Sequence, residues 1–239
     1  MRSRLALVVA LTTTAALAVS GCTKKNDNDT TSSGDTGKKT YKVAFVPKLQ
    51  GVPYFEAMNA GGKAAAAALG NVEWLYQGPT QADAAAQADI VRSYIQQKVD
   101  TLIVAPNDPD SMAPLLQQAK DAGIHVATAD TDAPSSVREV FVNQATAEGI
   151  GQGLTDALLK AMGGKGRYAI VSCGQTAENL NAWIKVQQEY TRTKYPDAQI
   201  VDVVYAGEDQ AKATQMATDL MNAHPDLTGL VGECTSSAP

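Results

Sequence analysis

The chain has 239 residues, with 20 lysines and arginines against 25 acidic residues and a formal net charge of −5; without a basic cluster, that balance excludes a nucleic-acid surface and otherwise bears only on solubility. It holds two histidines, His125 and His224, three cysteines, and neither C-x-x-C nor H-E-x-x-H spacing, which argues against a structural or catalytic zinc site. No Walker A sequence or G-x-S-x-G elbow occurs, so the common nucleotide and acyl-transfer signatures are missing as well.

Arg2 and Arg4 precede an apolar stretch over residues 5–19, and the small residues Ser20 and Gly21 stand just before Cys22. The stretch has the length of an export-signal core and is short for a membrane span. LAVSGC, residues 17–22, resembles a bacterial lipobox, which implies a leader over 1–22, lipidation of Cys22 and anchoring to a membrane. The alternative is an ordinary secretory signal with a chance cysteine. Residues 23–40, TKKNDNDTTSSGDTGKKT, contain no Leu, Ile, Val or aromatic residue; they cannot bury enough apolar surface to offset ordering entropy and read as a flexible tether.

From Tyr41 onward, short β-like runs alternate with amphipathic helical stretches. The apolar runs predict strands over residues 42–47, 72–76, 101–105, 125–129 and 139–143, then 168–173, 200–205 and 229–233. Helical spacing recurs between them: Ile90, Val91, Tyr94, Ile95 and Val99; Met112, Leu115, Leu116 and Ala119; Leu180, Trp183, Ile184, Gln187 and Tyr190; Ala213, Met216, Ala217, Leu220 and Met221. Such alternation predicts parallel sheets flanked by helices. After the strand ending at Asn143, a helix over 146–162 leads to Gly163-Gly164-Lys165-Gly166, which suits a domain junction. We therefore expect two α/β lobes, 41–145 and 146–239. The final strand is followed only by CTSSAP, with no covering helix, so the second lobe reads as incomplete.

Several polar residues stand where such sheets bind ligands, just past the carboxyl ends of their strands. Lys48 follows the first strand, ahead of a glycine turn and a Pro53-Tyr54-Phe55 helix entrance, and Asp130 follows the fourth. Asn107 follows the third, while Asp108 fits the N-cap of the helix near Pro109. Asp132 either shares the role of Asp130 or caps the following turn. Glu233 ends the last strand. Gly149, Gly151 and Gly153 spell G-x-G-x-G, but within a helical stretch and not after a strand, so the dinucleotide fingerprint fails its context test.

The segments VAFVPKLQGVPYFEAM, YQGPT, VAPNDPDSMAPLL, DTD at Asp130 to Asp132, FVNQATAEG, SCGQTAENLNAW and LVGECTSSAP together resemble the periplasmic sugar-binding proteins of ABC importers, in particular the group of rhamnose-binding proteins and the autoinducer-2 receptor. The resemblance runs from Tyr41 to Pro239. It implies two Rossmann-like lobes joined by three crossings, with a sugar clamped between them. It also implies a chain continuing beyond this one, in line with the incomplete second lobe.

From the resemblance come roles. Lys48, in the PKL motif, would contact ligand; Tyr54 or Phe55 would pack on a sugar face; Asp130 would accept two sugar hydroxyls, with charged acceptors making the stronger hydrogen bonds. Asn143 and Gln144 lie at the first crossing, where a hinge role is at least as fitting as ligand contact. Where autoinducer-2 receptors carry an Asp-Gln pair ahead of the helix tryptophan, this chain has Asn179 and Leu180, which favours a deoxysugar such as rhamnose. Asn179 and Glu233 are then the second lobe's ligand contacts. In a lobe wound this way the first and third strands are neighbours, about 4.8 Å apart. Cys173 and Cys234 end those strands and should lie close at the cleft rim, bonded or not; the alternative is two unrelated small hydrophobes.

The expected protein is thus no enzyme. It is a monomeric receptor that hands a small sugar to the permease subunits of a transporter or to a signalling protein, outside the cytoplasm. It needs no cofactor, metal or nucleic acid. Sugar-responsive repressors share such lobes but carry a DNA-binding helix-turn-helix where this chain has its leader and tether.

Overall fold

The structure, a computed structural model, describes residues 39–237. The leader, Cys22 and all but the last two tether residues lie outside the described residues. Among the described residues, eight strands and six helices alternate almost regularly: β1 (Tyr41–Val46), α1 (Pro53–Leu69), β2 (Val72–Tyr76), α2 (Ala84–Gln96), β3 (Thr101–Val104), α3 (Pro109–Asp121), β4 (His125–Ala129) and β5 (Val140–Val142), then α4 (Ala147–Ala161), β6 (Gly166–Ser172), α5 (Glu178–Lys194), β7 (Ala198–Tyr205), α6 (Gln210–Ala223) and β8 (Leu227–Gly232). The first five strands form one sheet in the order β2-β1-β3-β4-β5 and the last three a second in the order β7-β6-β8. Every ladder in both is parallel, as the β-α alternation requires.

Helix starts follow local chemistry. Asp83, Asp108, Thr146 and Asp209 each accept a backbone N–H three residues on, capping α2, α3, α4 and α6, and so satisfy one of the orphan donors of a first turn. Pro53 opens α1 with its fixed φ, and Gly70 closes it at φ 71° in the left-handed region, which favours glycine.

Side-chain alternation along the strands builds two layers. Ala44, Val46, Leu102, Val104 and Val126 pack under α2 and α3, while Phe45 and Ile103 join Phe55, Trp74 and Tyr76 beneath α1. In the second sheet Tyr168 and Ile170 meet Leu159 and Ile184 from α4 and α5; Ala169 and Val171 meet Ala213 and Leu220 from α6. With helices on both faces, the carboxyl ends of the strands are left to carry polar residues.

The three glycines Gly149, Gly151 and Gly153 all fall inside α4, away from any strand end, and at least one has a packing role. A Cβ on Gly151 would lie 2.7 Å from the Cβ of Val186 and 3.0 Å from the carbonyl of Trp183, both on α5, whereas one on Gly153 would meet nothing within 4 Å. Overpacking of this kind costs roughly 1–3 kcal/mol, while Gly to Ala in an open helix position gains up to about 1 kcal/mol. Urea unfolding should therefore show Gly151→Ala destabilised and Gly153→Ala unchanged or stabilised; equal effects would contradict this packing.

Candidate functional site

Strand ends of both sheets converge on a cavity of about 270 Å³. That is just below the roughly 300–1,000 Å³ of drug-sized sites and suits a small ligand. Lys48 reaches it from the loop after β1, Tyr54 and Phe55 from the start of α1, Asp130 from the end of β4, and Gln144 from the link after β5. The second sheet contributes Asn179, Leu180 and Trp183 from α5, Glu208 after β7, and Glu233 to Thr235 after β8.

Asp130 organises the first wall. It is 5% exposed, and its backbone sits at φ 64°, a left-handed conformation that Asp tolerates better than bulky residues do. Its Oδ2 lies 3.2 Å from the Lys48 ammonium. Its Oδ1 accepts from Tyr54 Oη at 3.1 Å, Gln144 Nε2 at 3.2 Å and Asn179 Nδ2 at 3.3 Å. Lys48 also donates to Asn179 Oδ1 at 3.1 Å, and the Thr131 hydroxyl is nearest that same oxygen, at 2.8 Å. Asn179 thus ties the two lobes together through both ends of its amide. Burial and the Asp130 charge push the Tyr54 phenol well above its ordinary range, which keeps it a hydrogen-bond donor.

The opposite wall is built differently. Glu233 is 6% exposed and accepts from Gln187 Nε2, with Ser172 Oγ at 3.5 Å. Glu208 accepts from Ser236 Oγ at 3.0 Å. Neither has a salt-bridge partner among the described residues. Burial pushes Glu233 up to about 7; it also raises Glu208, partly offset by the Lys48 charge. Cys173 and Cys234 are disulfide-bonded beside these groups, with Cα atoms 6.4 Å apart. The expected closeness at the cleft rim is what the structure has.

Lys48, Tyr54, Phe55, Asp130, Asn179 and Glu233 therefore share one cavity; Asn107 and Asp132 do not line it. Asn107 donates from Nδ2 to the Lys48 carbonyl at 2.8 Å, and its backbone N–H reaches Gln87 Oε1. Gln87, fully buried, also bonds the carbonyls of Pro47 and Ala105. Asn107 thus braces the loop that carries Lys48. Asp132 is held in the fork of Arg138, both contacts 2.6 Å, and accepts from Thr128 Oγ1 and the Ala133 N–H. Burial alone would raise its carboxyl, but these partners outweigh that and hold it below its usual range. It is a structural ion pair that fixes the turn after β4.

Sequence reasoning missed Glu208, whose signal was its position three residues past a strand, and it left Gln144 open between hinge and contact. Periodicity places Trp183 only on a helix face, yet it lines the cavity.

Two parallel α/β lobes thus share, at their strand ends, one polar, aromatic-edged cavity, the place where open α/β sheets take ligands. Residues 43–239 match the family model described as "Periplasmic binding protein domain", and the chain belongs to that family. A solved structure of an ABC transporter solute binding protein from Clostridium phytofermentas with bound L-rhamnose is 32% identical, with a TM-score of 0.79, over 83% of this chain and 62% of that one. LsrB from Clostridium saccharobutylicum in complex with AI-2 is 29% identical with a TM-score of 0.76, over 82% of this chain and 63% of the other. The D-ribose/D-allose-binding protein of Pseudomonas aeruginosa is 27% identical over 208 residues, 82% of this chain and 63% of the relative. The chain thus spans less than two thirds of the length of these relatives.

The buried carboxyl of Glu233 leaves a pH signature. It holds its proton to about 7 when folded, against an ordinary value of 4.5, so the native state binds more protons between those values and stability falls as pH rises through that window. The loss amounts to about 2–3 kcal/mol from pH 5 to pH 8. Urea unfolding across this range should show that fall in the wild type relative to Glu233→Gln; parallel profiles for the two proteins would contradict it.

Proposed function

We propose that this chain captures a monosaccharide, rhamnose or a near relative, between its two lobes for uptake by an ABC importer. The observation that carries the reading is the Asp130 carboxylate at the cavity, served by donors from both lobes. A sugar presents adjacent hydroxyls that can replace neutral donors on a carboxylate, and hydrogen bonds to charged groups are the strong ones. Tyr54, Phe55 and Trp183 offer apolar faces for the C–H side of a ring. Lys48 and Asn179 complete the polar contacts of the first wall, and Glu233 with Glu208 accepts hydroxyls on the second. Leu180, where autoinducer-2 receptors have an amide, leaves an apolar neighbour for the methyl of a deoxysugar.

In this reading the lobes, residues 41–145 and 146–239, pivot about their crossings and enclose the ligand, a hinge closure. The ligand leaves unchanged, delivered to the permease subunits in the membrane, and no catalysis occurs. Residues 1–22 act as leader, Cys22 carries lipid, and 23–40 tether the binding lobes outside the cytoplasm. The two solved relatives with L-rhamnose and AI-2 support a small polyol as ligand. An autoinducer-2 importer or a sugar sensor for a membrane signalling protein would use the same clamp.

Calorimetric titration with L-rhamnose, D-ribose and autoinducer-2 separates these readings. We expect one-to-one binding with L-rhamnose the tightest; tightest binding of autoinducer-2 would move the assignment to that receptor class, and heat with none of the three would refute the group. For the anchor, Cys22→Ser expressed in a bacterial host should move the protein from the membrane fraction to the soluble extracytoplasmic fraction. Retention on the membrane would contradict lipidation at Cys22.

A further inference from the structure

The disulfide is the one covalent feature of the cavity wall that sugar capture, as described, does not use. The β6–β8 ladder already holds its strands from Arg167↔Leu227 to Val171↔Gly232. Cys173 and Cys234 lie beyond the last of those pairs, so their bond secures the segment after β8 more than the strands themselves. That segment is where Glu233, Cys234 and Thr235 face the cavity. Its turn is closed by Ser237, whose Oγ accepts the N–H of Glu233 at 3.0 Å and of Cys234 at 3.1 Å. Ser236 packs on the disulfide, its Oγ 3.4 Å from Cys173 Sγ and 3.3 Å from Cys234 Sγ, and donates to Glu208 at 3.0 Å. One S–S bond therefore braces the segment that carries Glu233 and the serine that holds the Glu208 carboxyl.

Access to the two sulfurs is unequal. Cys173 is 1% exposed, whereas Cys234 lines the cavity. Among the described residues, Cys234 offers a thiol an approach from the cleft, where an enclosed ligand would stand in its way.

We propose that the Cys173–Cys234 disulfide is a redox-sensitive support of the ligand cleft: closed, it holds the second wall ready for ligand, and opened by a small dithiol it lets that wall relax and weakens capture. The inference rests on the sugar-clamp reading of the same cavity. In the opening step a thiolate of the dithiol attacks Cys234 Sγ, the S–S bond breaks, and Cys173 leaves as a thiolate that takes up a proton. The second thiol of the reductant then displaces Cys234, which also ends protonated, and the reductant departs as a cyclic disulfide. Two electrons pass from the dithiol to the protein.

Because binding and redox state share one equilibrium, the coupling is reciprocal. Ligand that prefers the oxidised protein tenfold must lower the disulfide's reduction potential by about 30 mV when saturating. The test is a redox titration of the full chain against dithiothreitol, without and with saturating L-rhamnose, D-ribose or autoinducer-2, alongside calorimetry of both redox forms. We expect at least tenfold weaker binding after reduction, the matching fall in potential with the sugar that binds, and the affinity of the reduced form in Cys173→Ser/Cys234→Ser. Equal affinity in both forms with an unmoved potential overturns the inference and leaves the sugar clamp standing. Alkylation of both Cys173 and Cys234 in the unreduced protein overturns it as well, and so does loss of hydrogen-exchange protection across β6 to β8 on reduction, which would make the bond a general staple. Binding of none of the three ligands in either form overturns both readings.

Discussion

A carboxylate buried beside an ammonium is the constraint around which this cleft is arranged. Asp130 and Lys48, at 5% and 4% exposure, lose most of their hydration, and the attraction between them offsets that loss only when the remaining polar valences are filled. The chain fills them from widely separated places: Tyr54 at the entrance of α1, Gln144 beyond β5 and Asn179 on α5. Satisfying one carboxylate thus draws the first lobe's strand ends and the second lobe's helix into one polar network. A buried ion pair is weak evidence for stability; this one lies at the convergence of strand ends, where open α/β sheets take ligands.

The two walls differ in charge state. On the first, Asp130 is neutralised by Lys48 and surrounded by donors. On the second, Glu208 and Glu233 have hydrogen bonds but no salt-bridge partner among the described residues, and burial raises both. One wall presents an ion pair, and the other presents acidic acceptors whose carboxyls burial pushes up. The disulfide, Ser236 and Ser237 set the geometry of that second wall, while Gln87 and Asn107 set the geometry of the loop bearing Lys48. Both walls are therefore supported by groups that need not touch ligand.

Much of the fold was legible because its strands are buried on both faces and read as continuous apolar runs; those expected over 72–76 and 125–129 match β2 and β4 to the residue. Elsewhere the ends moved by one or two residues, outward where the ladder continues past the apolar run, as at Gly166 and Ala198, and inward at both ends of β5 and the end of β3. Asp108 was legible as a cap because a cap is a local interaction. Asp132 was not legible as an ion pair, since its partner Arg138 lies across a turn whose shape no spacing announces. Asn107 stands at a strand end as Lys48 does, but its side chain turns back to the Lys48 carbonyl, a choice made by the neighbouring loop. Glu208 sat three residues after a strand, ahead of the Asp209 cap, and without knowing that β7 ends at the cavity nothing set it apart from a surface glutamate.

The claim on which the rest depends is that Asp130 and Asn179 interact across the lobes. A double-mutant cycle in urea unfolding, with Asp130→Ala, Asn179→Ala and the double variant, measures that interaction without reference to any ligand. Residues sharing one network show coupling of roughly 0.5–3 kcal/mol, and we expect a value in that range. Additivity of the two single substitutions to within about 0.3 kcal/mol, the behaviour of independent sites, would contradict it.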